Sequence, residues 1–347
     1  MTLLGTDVLD SQGMAAATAG LPEQVFDAAV RARGLDGLPR LERVENIVVL
    51  GMGGSGIAGD LLIAAAGQFL PVPVVVVKGY ESPNFVGEGT LVFAISFSGD
   101  TEETVEAASE AAVAGARVVA ITRGGELGRL ADSWGAPVVP VPDDIPQPRA
   151  GIGALAIPPL VVLEEIGLFP LASRWIDLAV DQLTRRRDAL LGDGEPALGL
   201  ARTIGRTVPI IQGGGAIGAT AASRWKTQIN ENANAPAFWS TSPELCHNEI
   251  QGWGQHGDVT RQLFTVVQLT HESQHPQVDR RTLIVRELLQ EVVSDVVEVR
   301  AEGEGQLAQV LDLILVGDVT SLHLAAQEGL DPGPVPALER MKAALRE

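Results

Sequence analysis

The sequence predicts an α/β protein of two tandem doubly wound domains, each a parallel sheet flanked by helices, and three observations carry that expectation. Its 347 residues amount to about two domains of common size. Short β-branched runs recur along it with Ala-rich stretches between them, the pattern of strands buried on both faces by helices. The plan also occurs twice: GAIGATAASRWKTQINENA follows a strand-like run in the second half much as GSGIAGDLLIAAA does in the first.

Residues 7–33 have few breakers apart from Gly20 and Pro22 and read as helices packed on the first domain. Strands are expected at NIVVL (46–50), VPVVVV (72–77), LVFAI (91–95), RVVAI (117–121) and PVVPV (137–141). Helices are expected over 58–66 and 102–115. DDIPQPRAGIG (143–153), rich in Pro and Gly, marks a linker and divides the chain into 1–153 and 154–347. A helix over 155–167 opens the second half, followed by strands at VPIIQG (208–213), LFTVVQL (263–269), VVEVR (296–300) and LDLILVG (311–317).

Composition limits the function. Hydrophobic residues at 46% and charged ones at 20% belong to a folded globular chain. Acidic residues outnumber basic ones 44 to 25, and the net charge of −19 repels nucleic acid and anionic membrane. An anionic substrate therefore needs locally arranged donors. The N-terminus lacks a basic segment followed by an apolar core, and no later apolar run reaches the roughly 18 residues of a bilayer span, so a cytoplasmic protein is expected. The single cysteine, Cys246, excludes an internal disulfide and a multi-cysteine zinc site.

Two loops carry candidate chemistry. Gly51-Met52-Gly53-Gly54-Ser55-Gly56 lies between a strand and a helix with the dinucleotide-binding spacing G-x-G-x-x-G. That reading needs an acidic residue ending the second strand, and here VVVV runs into Lys78-Gly79-Tyr80, with Glu81 slightly late. In the second loop, Ser96, Ser98 and Thr101 place three hydroxyls around a helix N-terminus, a phosphate cradle; the alternative is plain capping by Thr101. Both loops follow parallel strands, where α/β sheets bind ligands, and together they point to a phosphorylated small molecule. His271-Glu272-Ser273-Gln274-His275 fits the zinc-protease spacing, but it directly follows a strand and precedes Pro276, so no metal is expected there. Cys246 beside His247 reads as a passive thiol.

The motifs GMGGSG (51–56), SFSGDTEET (96–104), QPR (147–149), RWKTQINENA (224–233), CHNEIQGW (246–253), HPQV (275–278) and LDPGPVPALERMK (330–342) occur in one order along the chain. In that order the sequence resembles the bifunctional phosphoglucose/phosphomannose isomerases of the sugar-isomerase (SIS) superfamily. The resemblance implies two tandem SIS domains of flavodoxin-like type. It also implies a hexose 6-phosphate substrate, no cofactor or metal, and a homodimer with shared active sites. By the same resemblance Gly53, Gly54, Ser55, Ser96, Ser98 and Thr101 form the sugar-phosphate pocket, and Arg149 is the cation near the enediolate. Glu231 is the implied base; His247, contributed by a neighbouring subunit, assists ring opening; Lys342 is a second ring-opening or substrate contact. Three positions depart from the family pattern: Asp100 stands where Asn is usual, Cys246 where Asn is common, and Gly333 where Thr is often seen.

The residue types suit that chemistry. Aldose–ketose isomerisation needs acid–base help to open the ring, a base for the proton beside the carbonyl, and a permanent cation for the enediolate. Two other readings stand beside it: a non-catalytic phosphosugar-binding protein, which needs the serine pocket alone, and a dinucleotide-dependent oxidoreductase. Trp225, Trp239 and Trp253 cluster around the proposed catalytic segment and suit a sugar wall, an interface or packing.

Overall fold

The computed structural model describes residue 4, residues 8–191 and residues 196–345. Residue 7, the expected start of the leading helices, and both chain ends of the expected domain division lie outside the described residues.

The first sheet comprises β1 (Asn46–Leu50), β2 (Val74–Val77), β3 (Thr90–Ser96), β4 (Arg117–Thr122) and β5 (Val138–Pro140), ordered β2-β1-β3-β4-β5 and parallel throughout. The second comprises β6 (Val208–Gly214), β7 (Phe238–Ser242), β8 (Phe264–Thr270) and β9 (Asp295–Arg300), ordered β7-β6-β8-β9 and also parallel. Helices of the first half are α1 (Met14–Ala19), α2 (Leu21–Arg31), α3 (Gly53–Ala66), α4 (Glu102–Val113), α5 (Gly125–Trp134) and α6 (Ile152–Glu165). Those that follow are α7 (Ala172–Leu190), α8 (Pro196–Ile204), α9 (Gly215–Asn232), α10 (Glu249–Gly252), α11 (Gly257–Leu263), α12 (Pro276–Leu289), α13 (Gln306–Gln327) and α14 (Pro336–Ala344).

The inner faces of both sheets drain into one continuous core. Ile47, Val49, Phe93 and Ile95 of the first sheet join Ile211, Val267 and Leu269 of the second through α3, α6, α9 and α13. A smaller cluster lies on the outer face of each sheet, under α4 and α5 in the first and under α12 in the second. β3 is buried at every residue, which explains its unbroken apolar run.

The expected strand LDLILVG is a correction: residues 311–317 lie inside α13, a helix of 22 residues. A continuous buried apolar run does not separate strand from helix by periodicity, and here every residue from Leu307 to Ala325 is buried. α13 packs against α9, α7, α8 and α3, so helix surrounds it on all sides. It also corrects the expectation that no apolar stretch is long enough for a bilayer. By length and mean hydropathy, 1.4, it qualifies, yet its apolar window is wholly buried in the fold. β7 was not anticipated. It is the edge of its sheet, with Phe238 and Trp239 exposed, and lacks the apolar run that marks the others.

In each sheet the order of strand addition reverses beside the first strand, between β1 and β3 and again between β6 and β8. Ligand crevices of open α/β sheets form at the carboxyl ends of the strands at such points. α3 and α9 lie against each other across the two halves, with the Thr220 hydroxyl donating to the Asp60 carbonyl at 3.2 Å.

Candidate active site

The crevice of the first sheet brings the two candidate loops together. Gly53 takes a φ of +52° as it opens α3, a left-handed turn that favours glycine. A Cβ on Gly54 would stand 3.2 Å from the backbone of Pro148 and Arg149, a tight contact that the passing chain would have to shift to relieve. Both constraints are reasons for glycine at 53 and 54 that involve no ligand. Lys78, at the position where a dinucleotide fold needs an acid, pairs instead with Asp60 of α3.

Ser55 is buried, and its Oγ accepts from the Phe97 amide at 3.3 Å, tying the glycine loop to the serine loop. The Ser96 hydroxyl donates to Oγ1 of Thr101 at 2.9 Å and accepts from the Gly99 amide at 3.1 Å. Ser98 is exposed, and its Oγ accepts from the Asp100 amide at 3.2 Å. Thr101 is the N-cap residue of α4 but makes no side-chain capping bond, so simple capping does not account for the three hydroxyls. Oδ1 of Asp100 accepts from the Glu126 amide at 2.9 Å, directing the added negative charge to the head of α5. Glu102 and Glu103 occupy the first turn of α4, and Glu103 foremost, with burial and then Glu102 and Glu106, pushes the Tyr80 hydroxyl pKa up.

Arg149 is the hub of the site. Residues 143–153, expected as a linker, carry its side chain into the interior, where it is 2% exposed. Its Nε donates to Oδ1 of Asn232 at 2.7 Å, and one terminal nitrogen donates to the carbonyls of Pro332 and Gly333, the latter at 2.7 Å. The other terminal nitrogen faces the Glu231 carboxylate at 3.5 Å. Burial pushes the guanidinium pKa down, Glu231 opposes that shift, and Arg224 adds to it. Because arginine's pKa starts so high, it remains a cation.

A second layer holds this arrangement, and it went unnoticed in the sequence. Arg224 makes a two-pronged pair with Asp318 at 3.1 and 2.8 Å while donating to the Arg149 carbonyl. The Asn232 amide donates to Ser321 at 2.9 Å, and the Ser321 hydroxyl donates to the Asp318 carbonyl at 2.6 Å. Arg224 and Asn232 lie within RWKTQINENA, so the motif contained them; nothing in sequence ties Asp318 or Ser321 to it.

The remaining expected residues stand apart from this cluster. His247 is exposed at the end of a short helical turn after β7 and lines a separate cavity at the second sheet. Lys342 is exposed on α14, with no hydrogen bond or ion pair to another described residue. Cys246 is half-buried against a small apolar cluster. The tryptophans divide: Trp225 is buried and donates to the Leu313 carbonyl of α13 at 2.8 Å, Trp253 packs edge-on to Phe264, and Trp239 is exposed. The zinc-protease spacing is spread over the loop 271–275, with α12 beginning only at Pro276.

Two parallel sheets with a shared helical layer, glycine and hydroxyl loops at one crevice, and a buried arginine facing a carboxylate define a double SIS-domain protein. Residues 40–134 match the SIS domain, and residues 193–345 match the bacterial phospho-glucose isomerase C-terminal SIS domain. A solved tagatose-6-phosphate ketose/aldose isomerase from Escherichia coli shares the fold, with a TM-score of 0.70 over 93% of this chain and 95% of its own at 17% identity. The bifunctional phosphoglucose/phosphomannose isomerase of Caldicellulosiruptor bescii is 34% identical over 331 residues, 94% of this chain and 97% of its own. The enzyme of the same name from Aquifex aeolicus is 32% identical over 308 residues, 87% and 91% of the two chains. The chain belongs to the bifunctional phosphoglucose/phosphomannose isomerase family.

Proposed function

We propose that the protein is an aldose–ketose isomerase that interconverts glucose 6-phosphate, mannose 6-phosphate or both with fructose 6-phosphate through an enediol. The observation that carries the reading is the Arg149–Glu231 pair at the glycine loop: a buried, permanently charged cation with one nitrogen directed at a carboxylate 3.5 Å away. A base beside a fixed cation is what proton transfer next to a carbonyl requires.

In this reading the phosphate rests on neutral donors, the hydroxyls of Ser55, Ser96, Ser98 and Thr101 and the backbone amides around Gly53 and Gly54. Neutral donors suit a site whose neighbouring helix begins with Glu102 and Glu103. Glu231 takes the proton from the carbon beside the carbonyl and returns it to the adjacent carbon. The enediolate formed between those steps bears negative charge that the Arg149 guanidinium offsets, so no step passes through a metal or a cofactor. His247 assists ring opening from a second copy of the chain, which accounts for its exposure away from Glu231 within one chain. Lys342 contacts substrate from the C-terminal helix, and the division into domains falls at 153/154.

Coupled assays with glucose 6-phosphate and mannose 6-phosphate test this directly. Turnover of at least one, undiminished by exhaustive chelation, is expected. A protein that binds these sugars and turns over neither would be a phosphosugar-binding protein instead.

A further inference from the structure

The crevice of the second sheet repeats that of the first down to its loops. Gly213, Gly215 and Gly218, at and after the end of β6, have the spacing of Gly51, Gly53 and Gly56 after β1. Gly215 opens α9 with a φ of +61°, as Gly53 opens α3 with +52°. A Cβ on Gly218 would meet Gly213, just as one on Gly56 would meet Gly51. β3 and β8 are of equal length, 7 residues, and residues 97–101 and 271–275 lead from them into α4 and α12.

The helix ends complete the parallel and reveal one chemical difference. The last turn of α9 carries Glu231 to the first crevice, where it faces Arg149. At the second crevice the end of α3 and the turn after it bring Ile63, Ala64, Gly67 and Gln68 beside the start of α9. None of these four residues is a carboxylate; Gln68 is the polar one, and its amide is no base at neutral pH.

This crevice contains a cavity of about 660 Å³, a size common for small-molecule sites, with Gln68, Gly215, Ala216, His271, Gln274 and Arg281 in its wall. The 18-residue helix α9 starts there without a side-chain cap, leaving its first amides toward the cavity. Arg281 has no ion pair or hydrogen bond among the described residues, in a protein whose acids greatly outnumber its bases. His271 and Gln274 are each 6% exposed, and Nδ1 of the first and Oε1 of the second have no hydrogen-bond partner. The His271 ring donates through Nε2 to the Gly214 carbonyl at 2.9 Å, so Nδ1 is left as an acceptor. Gln274 donates through Nε2 to Asp279 at 2.8 Å, which fixes Oε1 as the free acceptor. Amides and a cation suit a phosphate, and buried acceptors suit hydroxyl groups.

We propose that this second crevice is a binding site for a hydroxyl-bearing phosphate ester, built on the plan of the first crevice but without its carboxylate. It does not depend on the isomerase reading. Equilibrium dialysis with sorbitol 6-phosphate, which has no carbonyl and cannot be isomerised, tests it. The ligand bound at this site should be kept in Ser98→Ala protein and weakened at least about ten-fold in Arg281→Glu, the loss of a charge-assisted hydrogen bond. Gln68→Glu, a change at an exposed rim residue, should weaken the same site by like-charge repulsion while leaving the melting temperature unchanged. Binding that is indifferent to both Arg281→Glu and Gln68→Glu, or that vanishes in Ser98→Ala, overturns the proposal. Absence of isomerase turnover would refute the proposed reaction and leave this binding result standing.

Discussion

Arg149 faces Glu231 because Asn232 and the carbonyls of Pro332 and Gly333 hold its guanidinium in place, and this makes single substitutions there informative. Glu231→Gln keeps the side-chain shape and removes the base, so turnover should fall by about 10² to 10⁴ with much smaller change in KM. Glucose and mannose phosphates share the fate of one base, so both activities should fall together; a Gln variant that keeps most of its turnover on either sugar removes Glu231 from the mechanism. Ser98→Ala should act on binding instead, weakening it by about 1–2 kcal/mol for one hydrogen bond to a charged group. Unchanged kinetics there, and likewise in Ser96→Ala and Thr101→Ala, would put the phosphate elsewhere. The sequence shows these residues because they sit in motifs. It conceals Asp318 and Ser321, whose place under the site comes from the packing of α13 on α9. His271 supplies a pH signature: burial first of all pushes its pKa below the ordinary 6.5, with the Gly214 carbonyl and Asp279 opposing. The unfolded chain therefore takes up the proton first as pH falls. The stability is present above the ordinary value of about 6.5 and lost as pH drops toward the lowered folded value. Unfolding free energies measured between pH 7 and 5 should show a shallower slope in His271→Gln than in the wild type.

At the scale of elements, the first half was legible almost strand for strand. NIVVL is β1, and the other four expected strands overlap β2 to β5 within a residue or two at each end. Parallel strands covered on both faces announce themselves as β-branched runs, and the glycine and serine loops mark where they end. In the second half the same rule mistook the middle of α13 for a strand, because total burial erases the polar face by which a helix is recognised. One residue shows how closely that helix is fitted. A Cβ on Gly317 would lie 2.2 Å from the Trp225 indole nitrogen, whose N–H is already donated to the Leu313 carbonyl. Trp225 cannot retreat without leaving its buried indole N–H unpaired. Gly317→Ala, favourable by helix propensity alone, should instead destabilise the protein by about 1–3 kcal/mol through overpacking. A melting temperature equal to or above the wild-type value would show that α13 and α9 can move apart cheaply.

At the scale of the molecule, the candidate cluster is assembled from four distant parts of the chain, and two of its proposed members, His247 and Lys342, lie outside it. The glycine loop, the serine loop, the 148–150 turn and the end of α9 meet around Arg149, with the segment 332–333 closing over the guanidinium. His247 is exposed beside the other crevice, at the start of α9, whereas Glu231 is in the last turn of that helix. If ring opening uses this imidazole, a second chain must present it, and the neighbouring exposed Phe238 and Trp239 on the edge strand β7 are suited to being covered by that chain. A closed twofold dimer would then contain two composite sites, each taking Glu231 from one protomer and His247 from the other. Glu231→Gln and His247→Ala homodimers should each be nearly inactive. After subunit exchange in a mixture, the hybrid has one site carrying both substitutions and one carrying neither, so up to about a quarter of wild-type activity should return if half the dimers are hybrids. The exchange itself is followed separately, with differently tagged chains recovered together. Recovered hybrids without activity would mean that Glu231 and His247 act from the same chain, whereas a fully active His247→Ala homodimer would mean that His247 has no part in the reaction.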